Sequence, residues 1–253
     1  MLIDSHCHLD DPRFVDDLDE VLDRAVAAGV QQYVVPTVTR ERWSGLRRLT
    51  EVHTSIHPAY GLHPWFTDAT DTDEDITALA RWLSEFEAVA IGECGLDLMP
   101  NRPSLECQLA PFRAQLRLAV ELDLPVIIHA VRSADLVARE VRECPGLRGV
   151  VHGFNGSLQQ AEKLVSLGMH IGLSGILTYE RNARLHEVAC RLPLESLLLE
   201  TDAPDQPDAM HRGERNEPGN LPGTVEALAR LRGQELETII AASNRNIREL
   251  FGL

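Results

Sequence analysis

Two histidines stand two residues apart near the start of the chain, in the run Asp4-Ser5-His6-Cys7-His8. Side chains alternate faces along a β-strand, so we expect His6 and His8 on one face together with Asp4. Two imidazoles at this spacing can bind one divalent cation, and a neighbouring carboxylate can orient a ring. On its own the pair is a weak signal, because a lone histidine is more often a hydrogen-bonded interior residue.

Four later apolar runs each end in a histidine or a carboxylate. These runs end as Ile91-Gly92-Glu93, Ile127-Ile128-His129, Val150-Val151-His152 and Leu199-Glu200-Thr201-Asp202. Imidazole nitrogens and carboxylate oxygens are ligands of zinc, manganese and similar divalent ions, and six of them suit two ions with one shared carboxylate. We therefore predict two metal ions held by His6, His8, Glu93, His129, His152 and Asp202.

A pair of divalent ions predicts hydrolysis. Such a pair lowers the pKa of a bound water and stabilises charge on the group under attack. Asp202 is the predicted general base, because a carboxylate beside that water can take its proton. The bond that breaks is expected to be an ester, an amide or a phosphodiester.

The scaffold must bring five chain segments together. Eight short apolar runs read as strands, at residues 2–6, 32–36, 57–61, 88–93, 125–129, 149–153, 170–174 and 196–201. Helical periodicity separates most of them, for example over residues 17–29 and 107–123. The alternation predicts a single-domain (β/α)8 TIM barrel over residues 1–253, with an open doubly wound sheet as the alternative. We prefer the barrel because all its strand ends meet at one rim. An acidic run at residues 68–75 is expected to start a solvated helix rather than to bind calcium.

Composition narrows the class of protein. A net charge of −15 argues against nonspecific coating of duplex DNA. No run of about 18 apolar residues is present, so no membrane partner is expected. The N-terminus lacks a signal core and the five cysteines are scattered, which predicts a cytoplasmic protein. A monomer and a small homo-oligomer both remain open.

Seven motifs in order resemble the TatD-related metal-dependent hydrolases of the amidohydrolase superfamily. They are DSHCHLD, GLHP, IGECGLD, PVIIH, VHGFNGS, ETDAP and RNEP, from residue 4 to residue 218. The stretch from HGFNGS to ETDAP resembles bacterial TatD-like proteins of unassigned substrate more than the founding nuclease. The resemblance implies a barrel, a divalent metal pair and hydrolase activity, and many relatives are described as deoxyribonucleases.

The family pattern also assigns the ligands. It implies one ion at His6, His8 and Asp202, a second at His129 and His152, and Glu93 as their bridge and as a second catalytic residue. Many superfamily relatives use a carbamylated lysine as the bridge, but the only lysine, Lys163, lies in a predicted helix after the sixth strand. The ligand types do not separate zinc, manganese, magnesium, nickel and iron.

Three further residues are predicted to bind substrate. Relatives usually carry an arginine two residues after the fifth-strand histidine, where this chain has Val131 followed by Arg132. Arg132 and Arg215 are the candidates for binding an anionic group of the substrate, and Arg215 matches the family pattern more cleanly. His63 in GLHP is expected at the rim, as a substrate contact, as a proton donor, or as a packed loop residue.

We expect a divalent-metal-dependent hydrolase of phosphodiester bonds in DNA or RNA ends or nucleotides, in the manner of a deoxyribonuclease. One alternative is a hydrolase of small carboxyl esters, lactones, amides or aminoacyl esters with the same metals. The other is a metal-binding barrel without a catalytic role.

Overall fold

The computed structural model describes residues 1–67 and 72–253, and its centre is one sheet of eight parallel strands. The strands are β1 (Leu2–Asp4), β2 (Val30–Pro36), β3 (Ile56–Tyr60), β4 (Ala90–Asp97), β5 (Val126–Val131), β6 (Gly149–Val151), β7 (Met169–Leu173) and β8 (Leu197–Leu199). Their order in the sheet follows their order in the chain. All eight predicted strands are confirmed, although their ends differ.

The sheet closes into a barrel between its last and first strands. The Ser5 amide donates to the Leu199 carbonyl at 3.1 Å, and the Asp202 amide donates to the His6 carbonyl at 2.9 Å. An open doubly wound sheet reverses its strand order at a switch point and leaves two free edges. The (β/α)8 barrel is therefore confirmed and the open sheet is not observed.

Helices follow the strands around the outside of the barrel. Within the described residues they are α1 (Leu18–Ala27), α2 (Arg40–Val52), α3 (Thr72–Glu85), α4 (Leu105–Leu122), α5 (Ala134–Arg142), α6 (Leu158–Ser166), α7 (Ala183–Arg191), α8 (Leu221–Arg232) and α9 (Leu236–Phe251). Of the acidic run, residues 72–75 begin α3, and residues 68–71 lie outside the described part. No helix among the described residues has both the length and the apolar character needed to cross a membrane.

The apolar interior has two layers. An outer core packs the helices against the sheet. An inner core fills the lower barrel with one side chain from most strands and with three from α9: Ile3, Val34, Ala59, Ala90, Ile127, Val150, Leu198, Ile247, Leu250 and Phe251. Helix α9 thereby closes the end of the barrel where the strands begin, and polar side chains are left to the opposite end.

Strand alternation carries three polar groups into the open end of the barrel. Ile127 and Val150 point inward, so His129 and His152, two residues further on, point inward as well. Leu198 on β8 also points inward, and so does Glu200, two residues further on. The same period that buries the apolar layer thus positions the polar layer above it.

Strand β4 needs an irregularity to deliver Glu93. Ala90 faces inward, and Glu93 follows at an odd spacing, so regular alternation would turn it outward. The pairing with β5 shifts register between Ile91 and Cys94, and Gly92 between them has φ 154°. A side chain is rarely tolerated in that conformation, so the glycine allows the bulge that turns Glu93 inward.

Two of the differences in strand ends bear on the candidate site. β1 ends at Asp4 rather than at residue 6, so the loop after it, and not strand alternation, positions His6 and His8. β4 continues past Glu93 to Asp97. Gly95 makes this continuation possible, because a Cβ there would lie 2.0 Å from the His129 carbonyl oxygen on β5.

Candidate metal centre

Four side chains from three separate parts of the chain form a first cluster. The Nε2 atoms of His6 and His8 lie 3.2 Å apart, and each lies within 3.5 Å of Glu93 Oε2 and of Asp202 Oδ1. The His6 ring is fully buried, and the other three side chains are nearly so. Four lone-pair donors around one point are the arrangement that a divalent cation requires.

A second cluster forms around the other oxygen of Glu93. Its Oε1 lies 2.9 Å from His129 Nδ1 and 2.7 Å from His152 Nε2, and these two nitrogens are 3.3 Å apart. His63 Nε2 approaches the same oxygen at 3.2 Å. Glu93 therefore links two groups of imidazoles through its two oxygens. Lys163 lies elsewhere, 4.0 Å from Asp135, on the outer helices.

Two of the histidines have their ring protons assigned by their neighbours. The Pro36 carbonyl can only accept, so the His8 Nδ1 that lies 3.2 Å from it carries a proton. His129 Nε2 lies 3.2 Å from Asp97 Oδ2, which also accepts. Each ring therefore turns its other nitrogen toward the cluster, as metal-ligating histidines do.

Burial sets the charge of several of these groups. Desolvation lowers the pKa of His6 to about 4, and the nearby His152 acts in the same direction. Burial alone would raise the pKa of Asp202, but the hydrogen bond from His8 and the charge of His152 bring it to about 2. At neutral pH the centre thus contains a neutral imidazole beside an ionised carboxylate, both in the form that binds a cation.

His63 belongs to the second cluster but differs from its neighbours in tautomer. Its Nδ1 accepts the backbone N–H of Trp65 at 3.2 Å, and burial lowers its pKa to about 4. The ring is therefore neutral, with its proton on the Nε2 that faces Glu93. In this state Nε2 is a hydrogen-bond donor and has no lone pair to offer a metal.

Asp4 has a different place from the one expected. Its carboxylate accepts the Thr201 hydroxyl at 2.5 Å and the backbone amides of Thr201 and His6 at 3.0 and 3.2 Å. It contacts the Thr201 hydroxyl and two backbone amides rather than an imidazole ring. Asp4 thus joins the loop after β1 to the end of β8.

Two polar groups that were not predicted from the sequence support the ligands. Gln206 donates its amide to Asp202 Oδ2 at 2.5 Å and accepts the Ser174 hydroxyl at 2.7 Å. Glu200 is fully buried, binds the Gly153 amide at 2.5 Å, and lies 3.9 Å from His152 Nδ1. The inward alternation of β8 could have indicated Glu200, but no local pattern marks Gln206.

A cavity of about 420 Å³ opens above the two clusters. Besides the cluster residues, its wall includes two arginines, three acceptors and an apolar side: Arg13, Arg42, Asp11, Asp205, Gln206, Val38, Val131, Trp65 and Phe66. Since the strand ends form its floor, a substrate in this cavity would lie directly on the candidate metal centre.

The two arginines predicted to bind substrate are not among the residues that line this cavity. Arg132 is exposed, with φ 55°, and Val131 is the residue that lines the wall. Arg215 donates to both oxygens of Asp17, at 2.8 and 2.6 Å, and to Glu217. Substrate contact by Arg215 stays a prediction, and it would require the guanidinium to leave Asp17.

Comparison with known proteins gives consistent matches over the full chain. The family model described as TatD related DNase matches residues 3–252. The uncharacterized metal-dependent hydrolase YjjV of Escherichia coli is 40% identical over 254 residues, covering 99% of this chain and 98% of that protein. The 3'-5' ssDNA/RNA exonuclease TatD of Citrobacter rodentium is 35% identical, covering 100% and 98%. The crystal structure of YjjV superposes with a TM-score of 0.95 at 39% identity, covering 100% of this chain and 98% of that one.

Proposed function

The chain belongs to the TatD related DNase family, and from this premise we propose that it hydrolyses phosphodiester bonds at the ends of single-stranded DNA or RNA, using two divalent metal ions. The observation that carries the proposal is the position of Glu93. Each of its oxygens faces a separate group of imidazole nitrogens. The relatives named as 3'-5' ssDNA/RNA exonucleases support the choice of substrate.

The donor set fits a pair of divalent cations. In each cluster, imidazole nitrogens and carboxylate oxygens converge within 3.5 Å, with no arginine or lysine among them. His6, His8 and Asp202 would hold one ion, His129 and His152 the other, and Glu93 both. When bound, such ions supply a nucleophile at neutral pH and offset the charge of a phosphodiester.

Charge in the cavity supports this requirement for metal. Its carboxylates Asp11, Glu93, Asp202 and Asp205 outnumber its arginines Arg13 and Arg42. Among these residues a phosphodiester would meet more carboxylates than guanidinium groups. We infer that tight binding of an oligonucleotide depends on the same ions as its hydrolysis.

The side chains have separable roles in this reaction. Asp202 is ionised at neutral pH, and its Oδ1 in the first cluster accepts the proton of the attacking water. His63 offers Nε2–H to a developing negative oxygen on the substrate. Gln206 holds the other oxygen of Asp202 and so fixes the direction in which that carboxylate faces.

The test is hydrolysis of a single-stranded oligonucleotide labelled at its 5′ end, with manganese, magnesium or zinc added. We expect stepwise shortening that EDTA stops and added metal restores. The absence of shortening with any of these ions, together with turnover of a carboxyl ester or lactone, would overturn the proposal.

One observation favours the neutral-ester alternative, and the same assay decides it. Val131 occupies the wall position where an arginine was expected, and Arg215 is paired with Asp17. An ester substrate would need no cation from either residue. Turnover of the ester panel by wild type, unchanged in Arg215→Ala, would be the result expected for that second function.

A further inference from the structure

Two large aromatic side chains are exposed at the mouth of the cavity. Trp65 and Phe66 form part of its wall and are 41% and 42% exposed. They follow His63 in the short 3-10 helix Pro64–Phe66, so they lie beside the second cluster. The Trp65 ring centroid is 5.0 Å from that of His63 and 6.1 Å from that of His129.

The Trp65 ring is held in place from two directions. Its Nε1–H donates to Asp97 Oδ2 at 2.6 Å, and the same oxygen accepts from His129. The Arg102 guanidinium lies over the ring, 3.6 Å from its centroid, and Arg102 does not line the cavity. Arg102 therefore covers the ring from outside the cavity, and the indole is fixed before any ligand arrives.

We propose that Trp65 and Phe66 form a stacking platform for one unpaired nucleobase of the substrate, next to the phosphodiester that is cleaved. This inference rests on the proposed function and names the form of nucleic acid that the cavity selects. Aromatic faces stack on any base, and in a duplex those base faces are already occupied. The platform therefore selects an unpaired end without selecting its sequence.

Two arginines in the same cavity wall suit the sugar–phosphate backbone. Arg42 lies 3.7 and 3.8 Å from Asp10 and Asp11, so its ion pairs are long, and it is 30% exposed. Arg13 is held more closely, between Asp11 and Asp205 at 2.9 and 2.8 Å. Aromatic faces and arginines that line one cavity above the metal centre match a single strand, which offers both unpaired bases and phosphates.

The experiment compares two oligonucleotides in wild type, two Trp65 variants and a control variant. One substrate is an ordinary single strand, and the other has an abasic terminal nucleotide with the same phosphates. We expect wild type to prefer the ordinary end in kcat/KM by about 10-fold or more, and Trp65→Ala to remove most of that preference. Trp65→Phe keeps a stacking face but loses the N–H to Asp97, so it should retain the preference even if both rates fall.

A matched control lies at the other end of the barrel. Phe86 also carries an arginine over its ring, with Arg47 at 4.4 Å, but it lines a different cavity. Phe86→Leu should leave the preference for the ordinary end unchanged. The platform would be overturned if Trp65→Ala lowered kcat/KM equally for both substrates. It would also be overturned if wild type cleaved the ordinary and the abasic end with the same kcat/KM.

A binding measurement separates failure of the platform from failure of the proposed function. Ordinary and abasic strands with terminal phosphorothioate linkages, which resist hydrolysis, are titrated with metal present. Loss of the affinity difference in Trp65→Ala supports the platform even if wild type cleaves neither substrate, in which case only the proposed reaction fails. An affinity difference that survives in Trp65→Ala overturns the platform.

Discussion

The two ends of the barrel each carry a cavity, and the larger one is at the end without the clustered ligands. The cavity at the strand beginnings measures about 890 Å³, against about 420 Å³ at the strand ends. Its charged residues pair with one another, as Arg148 does with Asp123 at 2.5 Å and Arg47 with Glu51 at 2.6 Å. Among the described residues, the candidate ligand groups all lie at the strand ends.

This contrast teaches that convergence of imidazole and carboxylate groups, rather than volume, marks a candidate site. At the strand beginnings each arginine has a carboxylate partner. At the strand ends, imidazole nitrogens and carboxylate oxygens from distant parts of the chain lie within 3.5 Å of one another. Groups arranged in this way are stable only with a cation or a shared proton between them.

The largest expected effect tests the link between the two clusters. Glu93→Gln removes the charge that both groups share, and we expect turnover of the oligonucleotide to fall by about 10³-fold or more, because several kcal/mol of transition-state stabilisation are lost. Elemental analysis should show less metal per chain. Glu87→Gln, in the larger cavity, is the matched control and should retain both. Full activity in Glu93→Gln would contradict the shared site.

The second effect is on stability. If the clustered groups bind metal only when folded, saturating manganese or zinc should raise the Tm by about 5 to 10 °C at about 100 times the Kd. Differential scanning calorimetry with and without EDTA measures the shift. His57→Ala, beneath the barrel, should show the same shift as wild type, and Glu93→Gln should lose most of it. An equal shift in all three proteins would place the metal elsewhere.

A smaller effect is expected from the support of Asp202. Gln206→Leu leaves Asp202 Oδ2 without its donor, so we expect metal affinity to weaken by about 10- to 100-fold. Isothermal titration with metal measures this, and the visible spectrum of the cobalt-loaded protein reports on ligand geometry. Gln159→Leu, exposed on α6, is the control. An unchanged affinity and spectrum would show that Gln206 has no positioning role.

The smallest effect belongs to the larger cavity. Arg148→Gln breaks an ion pair whose side chains are 43% and 87% exposed. The free energy of unfolding, measured with urea, should therefore fall by at most about 1 kcal/mol. Turnover should remain at the wild-type level. A large loss of turnover would contradict the contrast between the two ends, because it would give the larger cavity a part in the reaction.

Much of the scaffold could be predicted because its signals are local. Each apolar, β-branched run is a buried strand by composition, and the periodic segments between them are helices whatever the rest of the chain does. The candidate ligands were visible for the same reason: His129 and His152 end such runs, and parallel strands must end on the same side. The six candidates could therefore be named before their distances were known.

Other features needed tertiary structure, because they join residues far apart in the chain or depend on a single irregular backbone position. Glu93 faces inward only because of the bulge at Gly92. Arg215 matches a family motif but is held by Asp17, which folding brings beside it from 198 residues away. Trp65, an ordinary loop residue in sequence, lies in the cavity wall through its bond to Asp97. The sequence by itself determined which side chains were available at the rim, and packing decided which of them meet.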